Sequence, residues 1–516
     1  MKKLPIGIQT FEEIRDKKQN YIYIDKTQMA LSLIDSGKYY FLSRPRRFGK
    51  SLFLDTLKDI FEAKRESFEK LYIYDQWDWN RSYPVIHLSF GSGIVKSIED
   101  LNKNVLNLIK ENQDRLGVVC EDINDARFCL KELIILTYKK YNQKVVILID
   151  EYDKPILDNI TNNTLAKEMR GELRNLYSII KDSDQYMKFA FLTGVSKFAK
   201  VNLFSGLNIL EDISLDERYA TICGYTQDDL EVAFKERLEG VDLVELKRWY
   251  NGYNFLGERV YNPFNILLFF SKNKSYRNYW FETGSPSFLI DVLKEKNFFL
   301  PNLENIELEE MELNSFDIDN IRLEVLLLQT GYLTIKEVKT IFNHRFYSLT
   351  YPNVEVKSSL NSVILRDYLS TQSDNKVRFL NALIQIDMKA FERELYSLFA
   401  SIPYNSYINN DIQNYEGYYA NVIYSYLAGL GIGFIAEDTT NLGRIDLTIA
   451  TPDMSQVYVI EFKVVDSKNK NSNALEQIKT KKYYEKYQAK ANELILIGIE
   501  FCKEEKNICR FEWERL

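Results

Sequence analysis

The sequence predicts an α/β protein with a sheet in its N-terminal part, a helical middle region and a second α/β domain at the C-terminus. Three stretches carry this prediction. Residues 39–57 run from an apolar strand through a basic loop into a helical pattern, residues 144–153 form an apolar strand that ends in acids, and residues 443–465 alternate as a β-hairpin. The predicted domains are 1–230, 231–374 and 375–516.

Composition favours a folded protein. The 516 residues are 45% hydrophobic and include 35 Tyr and 31 Phe but only 10 Pro. The sequence contains no run of eighteen apolar residues, so it predicts no membrane span. The charged N-terminus lacks the apolar core of a secretory signal. The five cysteines form no C-x-x-C pair, so we expect reduced thiols and a cytoplasmic protein. Two histidines are too few for a His-based metal site or a Ser-His-Asp triad.

Charge is unevenly distributed along the chain. The net charge of −7 argues against a general nucleic-acid binder. Residues 1–50 nevertheless carry +6 and residues 463–490 carry +5, which leaves −18 for the rest of the chain. Solvated lysine faces would explain the two basic segments as well as a nucleic-acid contact would.

The stretch 39–57 reads YYFLSRPRRFGKSLFLDTL and contains most parts of a phosphate-binding loop. Such a loop needs a buried strand, inward backbone N–H groups and a helix N-terminus facing the anion. Gly49 stands where a side chain would obstruct the phosphate, Lys50 supplies positive charge for the β- and γ-phosphates, and Ser51 supplies a hydroxyl for Mg²⁺. Arg44 replaces the first glycine of the pattern G-x-x-x-x-G-K-[ST], so the turn lacks the backbone freedom of that glycine, and Pro45 with two more arginines makes the loop stiffer and more basic. The predicted phosphate-binding residues are Arg46, Arg47, Phe48, Gly49, Lys50 and Ser51.

Two further strands end in polar residues. KVVILIDEYD at 144–153 is an apolar run followed by Asp150 and Glu151, and ligands of α/β sheets bind at the C-terminal ends of strands. Asp150 could hold the Mg²⁺ and Glu151 could polarise the attacking water, although two surface acids capping a strand give the same pattern. MKFAFLTG at 187–194 ends in Thr193, which is either a residue that senses the γ-phosphate or a simple strand cap.

Together, RPRRFGKS, VILIDEYDKP and FLTGVSKFAKVNLFSGLN resemble the bacterial AAA-ATPase-like family over about residues 1–230. Members share the RPRRFGKS form of the loop, so Arg44 departs from the general pattern but not from this family. The resemblance implies an additional-strand P-loop NTPase sheet that binds ATP with Mg²⁺, with Thr193 at the sensor position, and leaves hydrolysis open. An arginine finger stays unassigned among Arg170, Arg174 and Arg218, for which surface roles are the simpler interpretation.

The middle region is rich in aromatic residues. WYNGYNFLG (249–257), YNPFNIL (261–267) and YWFETGSPSFL (279–289) combine aromatics with turn and helix-start signals. Such side chains could stack on bases, but packing in a core is the commoner role and the one we expect. Residues 326–335 and 347–356 predict a helix and then strands.

The hairpin GRIDLTIATPDMSQVYVIEFKVV at 443–465 places charges on apolar strands. Asp446 lies on the first strand, while Glu461 and Lys463 share one face of the second and Phe462 faces the core. Charged side chains on such strands are unfavourable unless they pair or serve a site. Asp446, Glu461 and the Phe462 carbonyl could hold Mg²⁺ or Mn²⁺, which prefer hard oxygen ligands and activate a bound water. Lys463 could offset charge in the transition state of phosphodiester cleavage.

Two flanking helices extend this pattern. NYEGYYANVIYSYL (414–427) contains Glu416, and ALEQIKTKKYYEKY (474–487) contains Gln477. The order E…D…E-x-K…Q resembles the PD-(D/E)XK nuclease superfamily over about residues 375–516. The resemblance implies a restriction-endonuclease-like α/β domain in which Glu416, Asp446, Glu461 and Lys463 are catalytic and Gln477 supports them. Glu416 would then join Asp446 and Glu461 as a metal ligand.

Two functions fit these patterns. The first is an ATPase coupled to a metal-dependent nuclease acting on DNA or RNA. The second is a nucleotide-switched binding or signalling protein whose nuclease-like domain binds nucleic acid or a partner without cleaving. The complete E-x-K set favours the first and the acidic body favours the second. The sequence leaves open whether the chain forms a homo-oligomer. The basic helix after the hairpin could follow a phosphate backbone with Lys479, Lys481, Lys482, Lys486, Tyr483, Tyr484 and Tyr487, or it could be a solvated face.

Overall fold

The computed structural model describes residues 1–121, 124–197, 209–280, 300–313, 322–368, 376–402, 416–451, 453–465 and 473–516. The chain divides into two compact units. The N-terminal unit comprises Met1–Phe288 and Ile306–Asn353, and the C-terminal unit comprises Leu289–Asn305 and Val354–Leu516. Within the described ranges, no helix combines the length and apolar character needed to cross a lipid bilayer.

A five-stranded parallel sheet forms the centre of the N-terminal unit. Its strands are β1 (Tyr39–Ser43), β2 (Val85–Ser89), β3 (Val145–Asp150), β4 (Met187–Gly194) and β5 (Glu211–Asp212). Their spatial order is β2-β3-β4-β1-β5, and all neighbours are parallel. Every residue of β3 is buried, as expected for a strand covered on both faces. β4 lies between β1 and β3, which confirms the predicted additional-strand arrangement.

Helices pack against this sheet, and the helix Pro263–Ser271 begins after Asn262, as the segment YNPFNIL predicts. Asp242 and Asn262 accept hydrogen bonds from the first turns of the helices that follow them, Leu243–Tyr250 and Pro263–Ser271. The remaining helices of the unit are Phe11–Arg15, Thr27–Ser36, Lys50–Phe61, Ile98–Leu116, Ala126–Tyr141, Lys154–Leu157, Asn163–Asp182, Gln227–Ala233, Glu310–Leu313 and Leu323–Thr330.

The later part of the N-terminal unit adds a three-stranded antiparallel sheet. Its strands are β6 (Ile306–Glu309), β7 (Thr334–Ile341) and β8 (His344–Thr350), in the order β6-β8-β7. The helix and strands predicted for 326–335 are present, because the helix Leu323–Thr330 ends at Gly331 and β7 follows. The strand predicted over 347–356 is right only to Thr350, because a turn follows and a helix begins at Val354.

The C-terminal unit is built on a second five-stranded sheet. Its strands are β9 (Phe434–Thr440), β10 (Gly443–Ala450), β11 (Gln456–Val465), β12 (Glu493–Cys502) and β13 (Asn507–Arg515), in the order β13-β12-β11-β10-β9. β11 and β12 are parallel and the other neighbours are antiparallel. The helices are Val354–Val363, which continues as the π-helical Ile364–Tyr368, then Lys376–Ile384, Met388–Ala400, Glu416–Gly429, Ala474–Thr480 and Glu485–Gln488. The hairpin β10–β11 is the one predicted from 443–465.

Candidate functional site

The loop between β1 and the helix Lys50–Phe61 has the backbone of an anion-binding site. Arg47 and Gly49 both adopt the left-handed conformation, with φ of +67° and +92°. Such residues among right-handed neighbours turn successive N–H groups toward one side, and the following helix adds the positive end of its dipole. A Cβ added to Gly49 would meet no protein atom within 4 Å. The space beside this glycine is therefore open for a ligand.

Arg44 occupies the place of the missing glycine, and its side chain points into the protein. The guanidinium is 1% exposed and donates to the carbonyls of Ser43 (2.9 Å), Ser214 (2.7 Å) and Tyr219 (3.1 Å). It also lies 3.9 Å from the centre of the Phe255 ring. Burial lowers the pKa of Arg44 to about 10. Arg44 therefore fastens the start of the loop to the chain after β5.

Lys50 is held inside the loop. Its ammonium donates to the carbonyls of Arg44 (2.9 Å) and Pro45 (3.0 Å). Burial lowers the pKa of Lys50, while the charges of Asp150 and Glu151 act in the opposite direction. A phosphate in the loop would compete with the two carbonyls for this ammonium. Ser51 follows at the helix start and is half-buried.

The aromatic segments of the middle region hold the loop from outside. The Arg46 carbonyl accepts hydrogen bonds from Trp280 Nε1 (3.3 Å) and Asn262 Nδ2 (3.4 Å). The Phe48 ring is buried and packs edge-on against Tyr253, with the ring centres 4.7 Å apart. These contacts confirm the packing role predicted for residues 249–257, 261–267 and 279–280, while residues 281–289 of the third segment lie outside the described residues. The side chains of Arg46 and Arg47 stay exposed, and Arg47 lies over the Phe264 ring.

Asp150 and Thr193 form a buried pair at the ends of β3 and β4. Thr193 Oγ1 donates to Asp150 Oδ1 at 2.5 Å, and the Glu151 N–H donates to the same oxygen at 3.0 Å. Both side chains are buried, so each is fixed in one orientation. The additional strand β4 therefore brings the predicted sensor residue directly onto the predicted magnesium ligand.

Glu151 is half-buried and has an unusual backbone conformation, with φ of +52°. Positive φ at a non-glycine residue is strained and is commonest at functional sites. Burial, and then the charge of Asp150, raise the pKa of Glu151, while Lys50 opposes them. A raised pKa suits a carboxylate that takes a proton from water.

Asp153 is a site residue that sequence reasoning missed. It is buried and accepts from the N–H groups of Val195 (3.1 Å) and Ser196 (2.6 Å) and from the Ser196 hydroxyl (2.6 Å). These bonds tie the end of β3 to the end of β4 and so support Asp150 and Thr193. The second aspartate of the run DEYD, with Ser196 after β4, was the available signal. Of the arginine-finger candidates, Arg218 is engaged by Asp216 and Glu211.

The second site lies where the β10–β11 ladder opens. The ladder ends toward the site at the pair formed by Leu447 and Ile460. Beyond it, Asp446 Oδ2 accepts the Phe462 N–H at 2.7 Å, so a carboxylate takes the place of a backbone partner. This bond fixes Asp446 beside the residue that follows Glu461. The Phe462 ring is buried, as predicted.

Gln477 and Lys463 complete the same cluster. Gln477 Nε2 donates to Glu461 Oε1, and Glu461 is 3% exposed. Lys463 Nζ donates to the carbonyl of Asn473, the cap of the helix that carries Gln477, at 3.2 Å. Four of the five predicted residues, Asp446, Glu461, Lys463 and Gln477, are thus brought together. Glu416 begins its helix, but its side chain lies outside the described part of the structure.

The donor set at this site fits a divalent cation with hard oxygen ligands. Asp446 and Glu461 supply two carboxylates, and Mg²⁺ is usually bound by one or two carboxylates together with water. In the part of the chain that the structure describes, no three His, Cys, Asp or Glu side chains come together as a metal-binding group.

Two neighbouring residues lie against this cluster, Gly498, which the sequence did not single out, and Tyr483, which was predicted to contact nucleic acid. A Cβ added to Gly498 on β12 would lie 2.3 Å from the backbone nitrogen of Leu475, so the missing side chain lets the helix Ala474–Thr480 approach the sheet. Tyr483 lies beyond the end of this helix. Burial, and then the charges of Glu461 and Asp446, raise the pKa of Tyr483. A glycine inside the apolar strand ELILIGIEFC was the available signal for Gly498.

The basic helix after the hairpin differs from its prediction. Tyr483 and Tyr487 are buried, so the prediction that they follow a phosphate backbone is wrong. Their rings belong to the apolar cluster between this helix and the sheet. Lys479 pairs with Glu514 at 2.5 Å, and Lys486 pairs with the buried Asp438. These tyrosines and lysines therefore mainly brace the fold.

The two sites define two classes of domain. A P-loop, acids at the end of β3 and an additional strand between β1 and β3 define a P-loop NTPase of the additional-strand type. The C-terminal unit has a mixed five-stranded sheet that carries an aspartate, the E-x-K residues and a glutamine in one cluster. This combination defines a restriction-endonuclease-like domain.

Comparison with known proteins agrees with this. Residues 5–204 match the model of a predicted AAA-ATPase family, and residues 414–511 match the PD-(D/E)XK nuclease superfamily. The chain is 47% identical over 519 residues to an uncharacterized protein encoded in the vnfD 5′ region of Azotobacter chroococcum mcd 1, covering 100% of this chain and 99% of that protein. The chain belongs to the AAA-ATPase-like family and carries a C-terminal domain of the PD-(D/E)XK nuclease superfamily.

Proposed function

We propose that this protein is an ATPase coupled to a metal-dependent nuclease that acts on DNA or RNA. The observation that carries the proposal is the convergence of Asp446, Glu461, Lys463 and Gln477 at one point of the C-terminal sheet. The match of both halves to an ATPase-like and a nuclease superfamily supports the coarser statement that the chain joins these two kinds of domain.

In the N-terminal unit, the loop at 46–51 would cradle the phosphates of ATP through its backbone N–H groups. Lys50 would exchange its carbonyl contacts for the β- and γ-phosphates, and Ser51 and Asp150 would hold the Mg²⁺ that accompanies ATP. Thr193 keeps the Asp150 carboxylate in one orientation. Glu151 would take the proton of the attacking water.

In the C-terminal unit, Asp446 and Glu461 would hold Mg²⁺ or Mn²⁺, with the Phe462 carbonyl and Glu416 as further oxygen ligands. The bound cation would supply Lewis acidity and a water of lowered pKa. Gln477 orients Glu461, and Lys463 would offset charge on the phosphate oxygens as the water oxygen bonds to phosphorus. The attacking water would release a proton to solvent, the bond from phosphorus to the leaving oxygen would break, and that oxygen would take up a proton from solvent.

The test is cleavage of mixed DNA and RNA substrates with Mg²⁺ or Mn²⁺, with and without ATP. Wild type is compared with Glu461→Ala and Lys463→Ala. Glu476→Ala is the matched control, because Glu476 lies on the same helix as Gln477 with its side chain 60% exposed. We expect cleavage by wild type and the control only, and a dependence on ATP if the two activities are coupled. Cleavage that persists in a folded Glu461→Ala variant would refute the nuclease.

The second candidate, a nucleotide-switched protein that binds nucleic acid or a partner without cutting, is favoured by one observation. Lys479 and Lys486 of the basic helix are neutralised by Glu514 and Asp438 and are less available to a phosphate backbone. This candidate predicts that ATP is bound and turned over while no metal supports cleavage. The same assay therefore separates the two functions.

A further inference from the structure

Glu500 is a buried acid beside the candidate nuclease site that the sequence did not single out. It lies on β12, within the apolar strand ELILIGIEFC, and is 4% exposed. β12 runs parallel to β11, and the register of the two strands pairs Glu500 with Lys463. Residues paired in this way point to the same face of a sheet. The acid therefore lies next to the lysine of the E-x-K motif.

One peptide group joins these two side chains. Lys463 Nζ donates to the carbonyl of Asn473 at 3.2 Å. The N–H of Ala474 donates to Glu500 Oε1, also at 3.2 Å. This carbonyl and this N–H belong to the same peptide group, in which they point in opposite directions. The lysine and the acid therefore hold the start of the helix Ala474–Thr480 from two sides.

The bond to Glu500 supports the bond to Lys463. A peptide whose N–H donates to a strong acceptor has a carbonyl that accepts more strongly, because hydrogen bonds in a chain polarise one another. The bond also keeps the peptide from rotating and carrying the carbonyl away from the ammonium. A lysine has a flexible four-carbon stem, so the place of its charge depends on the partner that fixes the ammonium.

Capping of the helix is a simpler role for Glu500. The first N–H groups of a helix have no partner inside it, and Ala474 is the first residue of this helix. Asn473 provides a second cap, since its side chain accepts the N–H of Glu476 at 3.0 Å. Removing the Asn473 side chain would weaken the helix start but leave the peptide group between Lys463 and Glu500 in place. The two roles can therefore be separated.

We propose that Glu500 is a positioning residue of the candidate nuclease site, which holds the Lys463 ammonium in place through the peptide group between Asn473 and Ala474. The inference deepens the proposed function and rests on it for the role of Lys463 in cleavage. Glu500 acts on the reaction indirectly, by fixing where the lysine charge lies relative to the phosphate oxygens.

The test is the reactivity of the Lys463 amine in the full chain, without metal, nucleotide or nucleic acid. The protein is acetylated with a trace of acetic anhydride, and mass spectrometry of its peptides gives the labelling of Lys463 relative to the exposed Lys490. Wild type is compared with Glu500→Leu, which removes the acceptor, and with Glu500→Gln, which keeps an acceptor oxygen. Asn473→Ala is the matched control for a weakened helix start. Melting temperatures report on folding.

We expect Lys463 to be labelled more slowly than Lys490 in wild type. Glu500→Leu should raise the labelling of Lys463 by about 10-fold, the factor that corresponds to one hydrogen bond made by a charged group. Glu500→Gln and Asn473→Ala should stay close to wild type. If Lys463 and Lys490 react alike in wild type, or if Asn473→Ala raises the labelling as much as Glu500→Leu, the inference is wrong.

Cleavage separates this inference from the proposed function. Glu500→Leu should cut more slowly than wild type, and Glu500→Gln should restore the rate, because it still accepts the Ala474 N–H. A wild type that cuts no substrate would refute the proposed nuclease, whereas the labelling of Lys463 would still decide whether Glu500 holds it.

Discussion

Arg44 stands where the general phosphate-loop pattern has its first glycine, and the loop still has left-handed residues at Arg47 and Gly49. The Arg44 guanidinium donates to three carbonyls and lies over the Phe255 ring, all on the side away from the ligand space. The left-handed turns fall instead at Arg47 and Gly49. Backbone freedom is therefore needed later in the loop, and the first position is available for a side chain that anchors it.

Restoring the general pattern with Arg44→Gly should damage the protein. The substitution leaves three buried carbonyls without their donor and a cavity beside Phe255, which we expect to destabilise the N-terminal unit by about 3 kcal/mol or more. Arg47→Gly is the control, because its left-handed backbone accepts glycine without strain and its side chain is exposed. Thermal unfolding of both variants checks this. An Arg44→Gly protein with the same melting temperature as wild type would contradict the anchoring role.

Glu151 should give ATP hydrolysis a distinctive dependence on pH. Burial and Asp150 raise the pKa of this carboxyl above its ordinary 4.5, so protonation removes the base form at a higher pH than for an exposed glutamate. As pH falls, kcat should therefore decline while the pH is still above 4.5. Turnover measured against pH at saturating ATP tests this.

Glu151→Gln is the companion variant. It should bind ATP and lose turnover, because the amide cannot take a proton from water. If the variant hydrolyses ATP like wild type, Glu151 is not the base.

At the scale of elements, the helix Ala474–Thr480 lies close to β12 because Gly498 has no side chain. Gly498→Val would place side-chain atoms where the Leu475 backbone nitrogen now lies, and backbone cannot move aside as a side-chain tip can. We expect the helix to shift and the hydrogen bond from Gln477 to Glu461 to break. The free energy of unfolding should fall by about 1–3 kcal/mol. Nuclease activity and Mn²⁺ affinity should fall with it.

Gly433→Ala is the control for this prediction. A Cβ there would meet the Ala450 carbonyl at an ordinary 3.6 Å, so metal binding and stability should be close to wild type. Equal behaviour of Gly498→Val and Gly433→Ala in Mn²⁺ titrations would show that the close approach of the helix is not needed.

The strands and their motif residues were easier to predict from sequence than the residues that hold them in position. Apolar runs that end in acids indicate β3 and the end of the sheet where Asp150 lies, and E-x-K on an alternating strand indicates the second site. Asp153 and Gly498 were missed because each acts through a neighbour that is distant in sequence. Local patterns report periodicity and spacing, but they do not report which helix lies over which strand. Tyr483 was misassigned for this reason, since its spacing fits an exposed helix face as well as a core.

At the scale of the whole molecule, the C-terminal unit depends on residues that precede it in the chain. The 3₁₀ turn Leu300–Glu304 belongs to this unit, and the Leu300 N–H donates to Asn421 Oδ1 at 2.9 Å. Glu304 accepts from Tyr424 (2.7 Å) and pairs with Lys357 (2.8 Å). These contacts fasten the helices Val354–Val363 and Glu416–Gly429 from outside the domain predicted at 375–516.

A fragment of residues 375–516 should therefore fold poorly. It lacks the helix Val354–Val363 and the 3₁₀ turn, both of which pack against the helix Glu416–Gly429, so part of that helix would lose its cover. We expect aggregation or a broad thermal transition in circular dichroism. In the full chain, Glu304→Ala should lower the stability of the C-terminal unit by about 1–2 kcal/mol, since it removes a hydrogen bond and a partly buried ion pair. A fragment that melts cooperatively at the temperature of the full chain would contradict this.

The path of the chain between the units also bears on inheritance. Among the described residues, 300–305 belong to the C-terminal unit, while 306–313 and 322–353 belong to the N-terminal one. A single crossover between two related genes cannot exchange one unit and leave the other intact, because one of the two units would then combine segments from both parents. Selection should remove such hybrids, so we expect the ATPase-like and nuclease-like halves to descend as one piece. The similarity to the Azotobacter chroococcum protein, which runs over 99% of its length, agrees with joint descent.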